Sequence, residues 1–307
     1  MTDLQQRYAA VLDRLVTLVG ADPALIGLYV YGSSTRGDVW EHSDVDAVFV
    51  TSEESRPWES YALVADGIQV SAEVCSRSHF RRIHERALRG SATHAIFTSG
   101  RLIYASDPTL QSYIDDAKAV GERDRELLRM LHAIELGGIL HGAEKALAVR
   151  NDLVTPRSLL VQALERKAHI ELLERGEPAC REAASRIYSL DTEFAALWTE
   201  TLCAPDALRL RAVHDRLVTE LQRRAAVFYK PLLDYLREER VVRTVSEIHR
   251  AVGARLNLAD AAHGVGHACE ALARWGLVQR TTTPTRLARK GRVEFEEAAF
   301  FYGGESA

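Results

Sequence analysis

The stretch YVYGSSTRGDVWEHSDVDAVFV, Tyr29 to Val50, decides how the chain is read. An apolar run ends at Tyr31, breaks into Gly32-Ser33, crosses a polar loop and resumes at Asp44-Val45-Asp46 ahead of a second apolar run. Such runs, bounded by glycine and polar residues, predict strands over Leu25–Tyr31 and Val45–Thr51. Glycine lets backbone approach a ligand closely. A short helix starting near Ser33–Ser34 would turn its free N–H groups toward an anion, phosphate above all. Arg36, in the same turn, carries a planar fork suited to phosphate. Asp44 and Asp46 stand two positions apart and so share one face of a strand. A third acid, Glu73, lies on the strand-like run Ile68–Cys75. If the two strands are neighbours, three carboxylates converge, and they need a counter-charge. Divalent magnesium prefers oxygen ligands and shares them with phosphates. Two such ions would clamp the attacking and leaving oxygens of a displacement at phosphorus.

Outward from that stretch, the 307 residues divide into three regions. Residues 1–109 mix strands with helices. An amphipathic helix is expected at Thr2–Val19, a further strand at Leu102–Tyr104 and a helix near Arg77–Leu88. Residues 110–233 show helical periodicity almost throughout and predict a bundle, with breaks near Asn151–Pro156, Gly176–Pro178 and Cys203–Pro205. Residues 234–307 read as helix, helix, hairpin, the order of a winged helix-turn-helix. The expected fold class is thus α+β. A mixed sheet with helices precedes an all-α bundle and the winged-helix-like module.

Composition excludes several classes. Apolar residues make up 47% of the chain and the formal net charge is -4, so neither a disordered chain nor a uniformly basic nucleic-acid binder is described. No apolar run approaches the ~20 residues that span a bilayer. Cys75, Cys180, Cys203 and Cys269 are scattered without a CxxC pair, which points to a reduced, cytoplasmic protein. Between Leu236 and Arg292, eleven Lys or Arg stand against five acids, a local net of +6 that suits phosphate-backbone contact.

The segment GSSTRGDVWEHSDVD resembles the signature of the polymerase-β-type nucleotidyltransferase superfamily: Gly-Ser, a loop of about ten residues, then Asp-x-Asp, with Glu73 matching a third acid on a later strand. The likeness is to its small-molecule branch, that of kanamycin nucleotidyltransferase, and it extends weakly through THAIFTSGRLIYASDP. The resemblance implies that Gly32 and Ser33 hold a triphosphate, with Arg36 contacting phosphate. It implies further that Asp44 and Asp46 bind two Mg2+ ions and that Glu73 binds the ion on the acceptor side. The implied reaction moves a nucleoside monophosphate, AMP from ATP, to a hydroxyl on an aminoglycoside-like or other natural product and releases pyrophosphate. It also implies a homodimer and a general base on the first long helix after residue 110. That helix, near Asp124–Val149, offers Glu135 and Glu144. Its apolar face switches sides at Gly137-Gly138, and Glu135 borders the switch, which favours Glu135. The C-terminal module departs from that branch. Two other readings follow from it: a transferase acting on tRNA or a protein, with the module as docking arm, and a nucleotide-sensing transcriptional regulator.

Overall fold

The computed structural model describes residues 2–86, 100–117, 121–149, 152–177, 180, 182–253, 262–288 and 292–303, with the side chains of residues 36, 84–86, 262 and 263 left aside. The chain forms two compact units, Met1–Gly121 and Glu122–Ala307.

The first unit is built on a five-stranded sheet. Its strands are β1 (Leu25–Tyr31), β2 (Val45–Thr51), β3 (Glu59–Ala65), β4 (Ile68–Ser76) and β5 (Arg101–Ala105). Their order is β3-β4-β2-β1-β5, with β2 and β4 parallel and the other pairs antiparallel. Alternation along β1, β2 and β4 fills both faces. One face packs Leu28, Val30, Val45, Ala47, Phe49, Val70 and Ala72 against Tyr8, Val11, Leu15 and Val19 of helix α1 (Asp3–Ala21). Thr2 starts that helix in a reciprocal cap with Gln5. The other face packs Tyr29, Val48, Val50 and Cys75 against Phe80, Leu110 and Ile114. These three come from helices α3 (Arg77–Arg86) and α4 (Thr109–Ala117), which follow the short α2 (Ser33–Arg36).

Strand β3 escapes the sequence reading. It is an edge strand, and Tyr61, Leu63 and Val64 are all exposed, so no burial alternation marks it. The turn that follows did carry a signal. Asp66 and Gly67 both adopt positive φ (49° and 75°), the two-residue arrangement that joins a tight antiparallel hairpin. The end of the predicted helix near Arg77–Leu88 lies outside the described residues.

The second unit begins with two long helices, α5 (Glu122–Val149) and α6 (Val154–Glu174). They are followed by α7 (Ala183–Leu190), α8 (Thr192–Cys203), α9 (Ala207–Arg223), α10 (Ala225–Phe228) and α11 (Lys230–Glu239). Asp191 and Asp206 cap α8 and α9 by accepting from the N–H groups of Phe194 and Arg209. Helix α5 runs unbroken through Gly137-Gly138. It is buried on several sides, which explains the switch in its apolar pattern. At Gly137 the hydroxyl of Tyr229 comes so close that an added Cβ would lie 3.3 Å from it. That hydroxyl donates to the Ala133 carbonyl at 2.9 Å.

After α11 come β6 (Arg243–Thr244), α12 (Val245–Ile248), a π turn (His249–Gly253), α13 (Ala262–Arg274), β7 (Gln279–Thr285) and β8 (Phe295–Phe301). The three strands form an antiparallel sheet in the order β6-β8-β7. The expected limits at residues 109/110 and 233/234 fall inside α4 and α11. All four cysteines are free. Among the described residues, no helix is long and apolar enough to cross a membrane.

Candidate functional site

The three acids share one face of the sheet. On β2, Val45, Ala47 and Phe49 face α1, so Asp46 faces the opposite side; Asp44 continues the same alternation just ahead of the strand. On β4, Val70 and Ala72 face α1, so Ser71 and Glu73 face the side of Asp46. The parallel register sets Asp46 beside Ser71 and Val48 beside Glu73, while β1 sets Tyr31 beside Asp46.

The glycine turn is fitted to this face. Gly32 has φ +76°, and a Cβ there would stand 2.1 Å from Oδ2 of Asp46, so only glycine brings the turn so close to the carboxylate. Helix α2 then starts at Ser33 as expected. The Thr35 hydroxyl donates to the Gly32 carbonyl at 2.8 Å and ties the turn to the helix. The Arg36 side chain lies outside the described residues. The far end of the loop is pinned from α1, where the Tyr8 hydroxyl donates to the Ser43 carbonyl at 2.5 Å. This bond fixes the backbone immediately before Asp44.

Two serines hold two of the acids. The Ser71 hydroxyl donates to Oδ2 of Asp44 at 2.5 Å. The Ser60 hydroxyl, on β3, donates to Oε2 of Glu73 at 2.8 Å, so Glu73 leans toward the sheet edge and away from β2. Among the described residues, no Lys, Arg or His forms an ion pair with Asp44 or Glu73. Nor do three acids, histidines or cysteines already stand at metal-ligand spacing. The field of the acids is nevertheless felt at one point. Burial, then Asp46, Glu73 and Asp44 in that order, push the Tyr31 phenol up to about 12. Tyr8, Tyr31, Ser60 and Ser71 carried no motif in the sequence. Strand pairing sets Tyr31, Ser60 and Ser71 near the acids, and the packing of α1 on the sheet brings Tyr8 to the backbone ahead of Asp44.

Glu135 belongs to the second unit and acquires unexpected neighbours there. Its Oε2 lies 3.4 Å from Nδ1 of His132 and 3.3 Å from Nε of Arg166 on α6. The rings of His132 and His169 stack, with centroids 4.8 Å apart and planes inclined by 11°. Burial works to raise the Glu135 carboxyl, but His132 and Arg166 outweigh it, and the net shift is downward. Burial, with His132 and Arg166 adding to it, lowers His169 to about 4. Glu144 is more exposed, with His141 at 3.9 Å beside it. The i,i+3 spacing of His132 and Glu135 on one helix was a readable signal, whereas Arg166 and His169, on the next helix, meet them only through packing.

The C-terminal hairpin is less basic than its first half. Glu294, just ahead of strand β8, and Glu296 and Glu297 within it add negative charge, and over residues 234–307 eleven Lys or Arg face ten acids, a net of +1. Arg286 pairs with Glu294 at 2.6 Å and Arg280 with Glu270 at 2.8 Å.

Comparison with known proteins bears on this geometry. Residues 15–109 match the family described as polymerase beta, nucleotidyltransferase, and the matched segment contains Gly32, Ser33, Asp44, Asp46 and Glu73. No protein of curated function matches the sequence. Among solved structures, a nucleotidyltransferase-like protein from Exiguobacterium sibiricum superposes with a TM-score of 0.64 at 17% identity. The match covers 95% of this chain and 98% of that one, so the likeness in fold extends well beyond the matched segment. The N-terminal fold is therefore of the nucleotidyltransferase type, within a mixed α and β chain.

Proposed function

We propose that this protein is a nucleotidyltransferase that moves a nucleoside monophosphate from ATP to a hydroxyl of a small molecule and releases pyrophosphate. One observation carries the reading: Asp44, Asp46 and Glu73 lie on one sheet face beside the Gly32 turn, inside the segment that matches a nucleotidyltransferase family.

The donor set fits magnesium. It consists of carboxylate oxygens, hard ligands for a hard cation, with no thiol or imidazole among the three. When bound, two Mg2+ ions would neutralise the polyphosphate and make the acceptor hydroxyl more acidic. Asp44 and Asp46 would hold both ions and Glu73 the one on the acceptor side. For that, Asp44 and Glu73 turn from Ser71 and Ser60 toward the cations. Gly32 and Ser33 present backbone to the phosphates, and Arg36 adds a charged fork.

The acceptor oxygen bonds to the α-phosphorus as the bond to pyrophosphate breaks. The hydroxyl proton passes to a carboxylate, for which Glu135 is the choice. His132 and Arg166 hold it in the ionised form a base must have, at the cost of some proton affinity. A natural-product hydroxyl of the aminoglycoside type is the acceptor class. The near-neutral charge of residues 234–307 favours this over a polynucleotide acceptor.

The test is incubation of the purified protein with Mg2+, each of the four nucleoside triphosphates and a panel of hydroxyl-bearing natural products, read by pyrophosphate release and product mass. A mass increase of one AMP, dependent on Mg2+ and absent in Asp46→Asn, is expected. Pyrophosphate release that survives in Asp46→Asn would overturn the proposal.

A further inference from the structure

A second polar site lies at the start of α5 and the end of α6. An open cavity of about 290 Å³ is lined there by Glu122, Arg125, Arg129, Leu173 and Glu174. Glu122, Arg125 and Arg129 follow an i, i+3, i+7 spacing and so share one face of α5.

Arg129 is the telling residue. Its side chain is only 15% exposed. Its Nε is buried and has no hydrogen-bond partner. Among the described residues, its guanidinium meets carboxylates only at 3.8 Å (Glu122) and 3.9 Å (Glu174), beyond hydrogen-bonding reach. The buried Nε has lost water without gaining an acceptor, which is costly, and no carboxylate lies within hydrogen-bonding reach of the terminal nitrogens. Neither acid can satisfy it. Glu174 is directly bonded to the guanidinium of Arg224. Glu122 is 68% exposed and is shared with Arg125 at 3.7 Å. The first turn of α5 adds backbone N–H groups that no intrahelical carbonyl takes, at the end of the helix that favours negative charge.

We propose that this cavity is an oxyanion-binding site that takes the phosphate or carboxylate group of a small molecule. Arg129 and Arg125 grip the anion, and Leu173 lines the apolar part of the ligand. An incoming anion takes the place of Glu122, the one acid in the cavity that is free to turn to solvent. The site belongs wholly to the helical unit and does not depend on the transfer chemistry.

The experiment is titration of the full-length protein with inorganic phosphate, and separately with acetate, at constant ionic strength and without divalent metal. It is done in an Arg36→Gln background, which weakens the phosphate loop of the first unit. Arg129→Gln is expected to weaken binding of the bound anion about tenfold or more, since it removes the charged fork. Glu122→Gln is expected to strengthen binding several-fold, since it removes the competing acid. The opposite signs separate a binding role from a folding defect, and Glu122→Gln decides the matter if Arg129→Gln does not fold. Phosphate outcompeting acetate identifies a phosphate ligand, and the reverse identifies a carboxylate. Affinity for both anions that is unchanged by Arg129→Gln, or weakened by Glu122→Gln, would overturn the inference. The titration reads Arg129 and Glu122 without divalent metal, whereas the transfer reading is tested with Mg2+ in Asp46→Asn, so failure of the transfer reading and failure of this one are told apart.

Discussion

The sheet unit and the helical unit assemble their polar groups by different means. In the sheet unit, backbone pairing does the work: β1, β2 and β4 set Tyr31, Asp46 and Ser71 side by side through register, and period-2 alternation turns Asp44, Asp46 and Glu73 to one face. In the helical unit, His132 and Glu135 are neighbours along one helix, but Arg166 and His169 reach them only because two long helices pack along their lengths. Register is a discrete property, and a slip of one residue would send every acid to the opposite face. Helix packing is graded, set by the side chains between the two surfaces. A site built on paired strands therefore resists drift, whereas one built between helices depends on its packing neighbours.

The comparison can be broken most sharply at the sheet. Asp46→Asn should lower transfer by about a thousandfold or more, because it removes a carboxylate that would hold both ions. Circular dichroism should show the fold intact, and a variant retaining near-normal turnover would end the two-unit division of labour. At the helical site, Glu135→Gln should reduce kcat by about a hundredfold, the usual worth of a positioned base. Its pH–rate profile should lose the acidic limb, whereas a merely structural role would leave the profile's shape unchanged.

Two smaller effects sharpen the view of packing. His169 is held near 4 in the folded chain, against 6.5 for a free imidazole, in the company of Glu135, His132 and Arg166. The unfolded chain therefore takes up this proton first. The contribution is complete above pH 6.5 and is lost as the pH falls toward 4. Allowing for partial exposure, it amounts to about 1–2 kcal/mol. Denaturant midpoints across that range should fall less steeply in His169→Gln. Tyr229→Phe removes the hydroxyl bonded to the Ala133 carbonyl and should cost about 1 kcal/mol of stability, measured in urea. A larger loss would show that contact of this hydroxyl with Gly137 also matters to α5.

Much of this was legible in the residues, for reasons that differ along the chain. Leu25–Tyr31 and Val45–Thr51 form strands with the predicted limits, because buried central strands carry dense β-branched and aromatic runs. The edge strand β3 was not legible, since exposure on both faces erases alternation, although Asp66-Gly67 marked its hairpin. The +6 charge of residues 236–292 was legible but incomplete, because the hairpin brings Glu294 onto Arg286 from beyond that window.

By itself, the sequence determined the local matters: which runs are strands, where glycine must turn, and that Asp44 and Asp46 face the same way. These follow from steric rules that act over a few residues. Only the tertiary structure decided the rest. It put Glu73 on the same sheet face as the aspartates, gave Ser60 and Ser71 their carboxylates, brought Arg166 to Glu135, and left Arg129 buried beside a cavity. Those arrangements join residues far apart in the chain. Their energies depend on burial and on partners that no local pattern specifies.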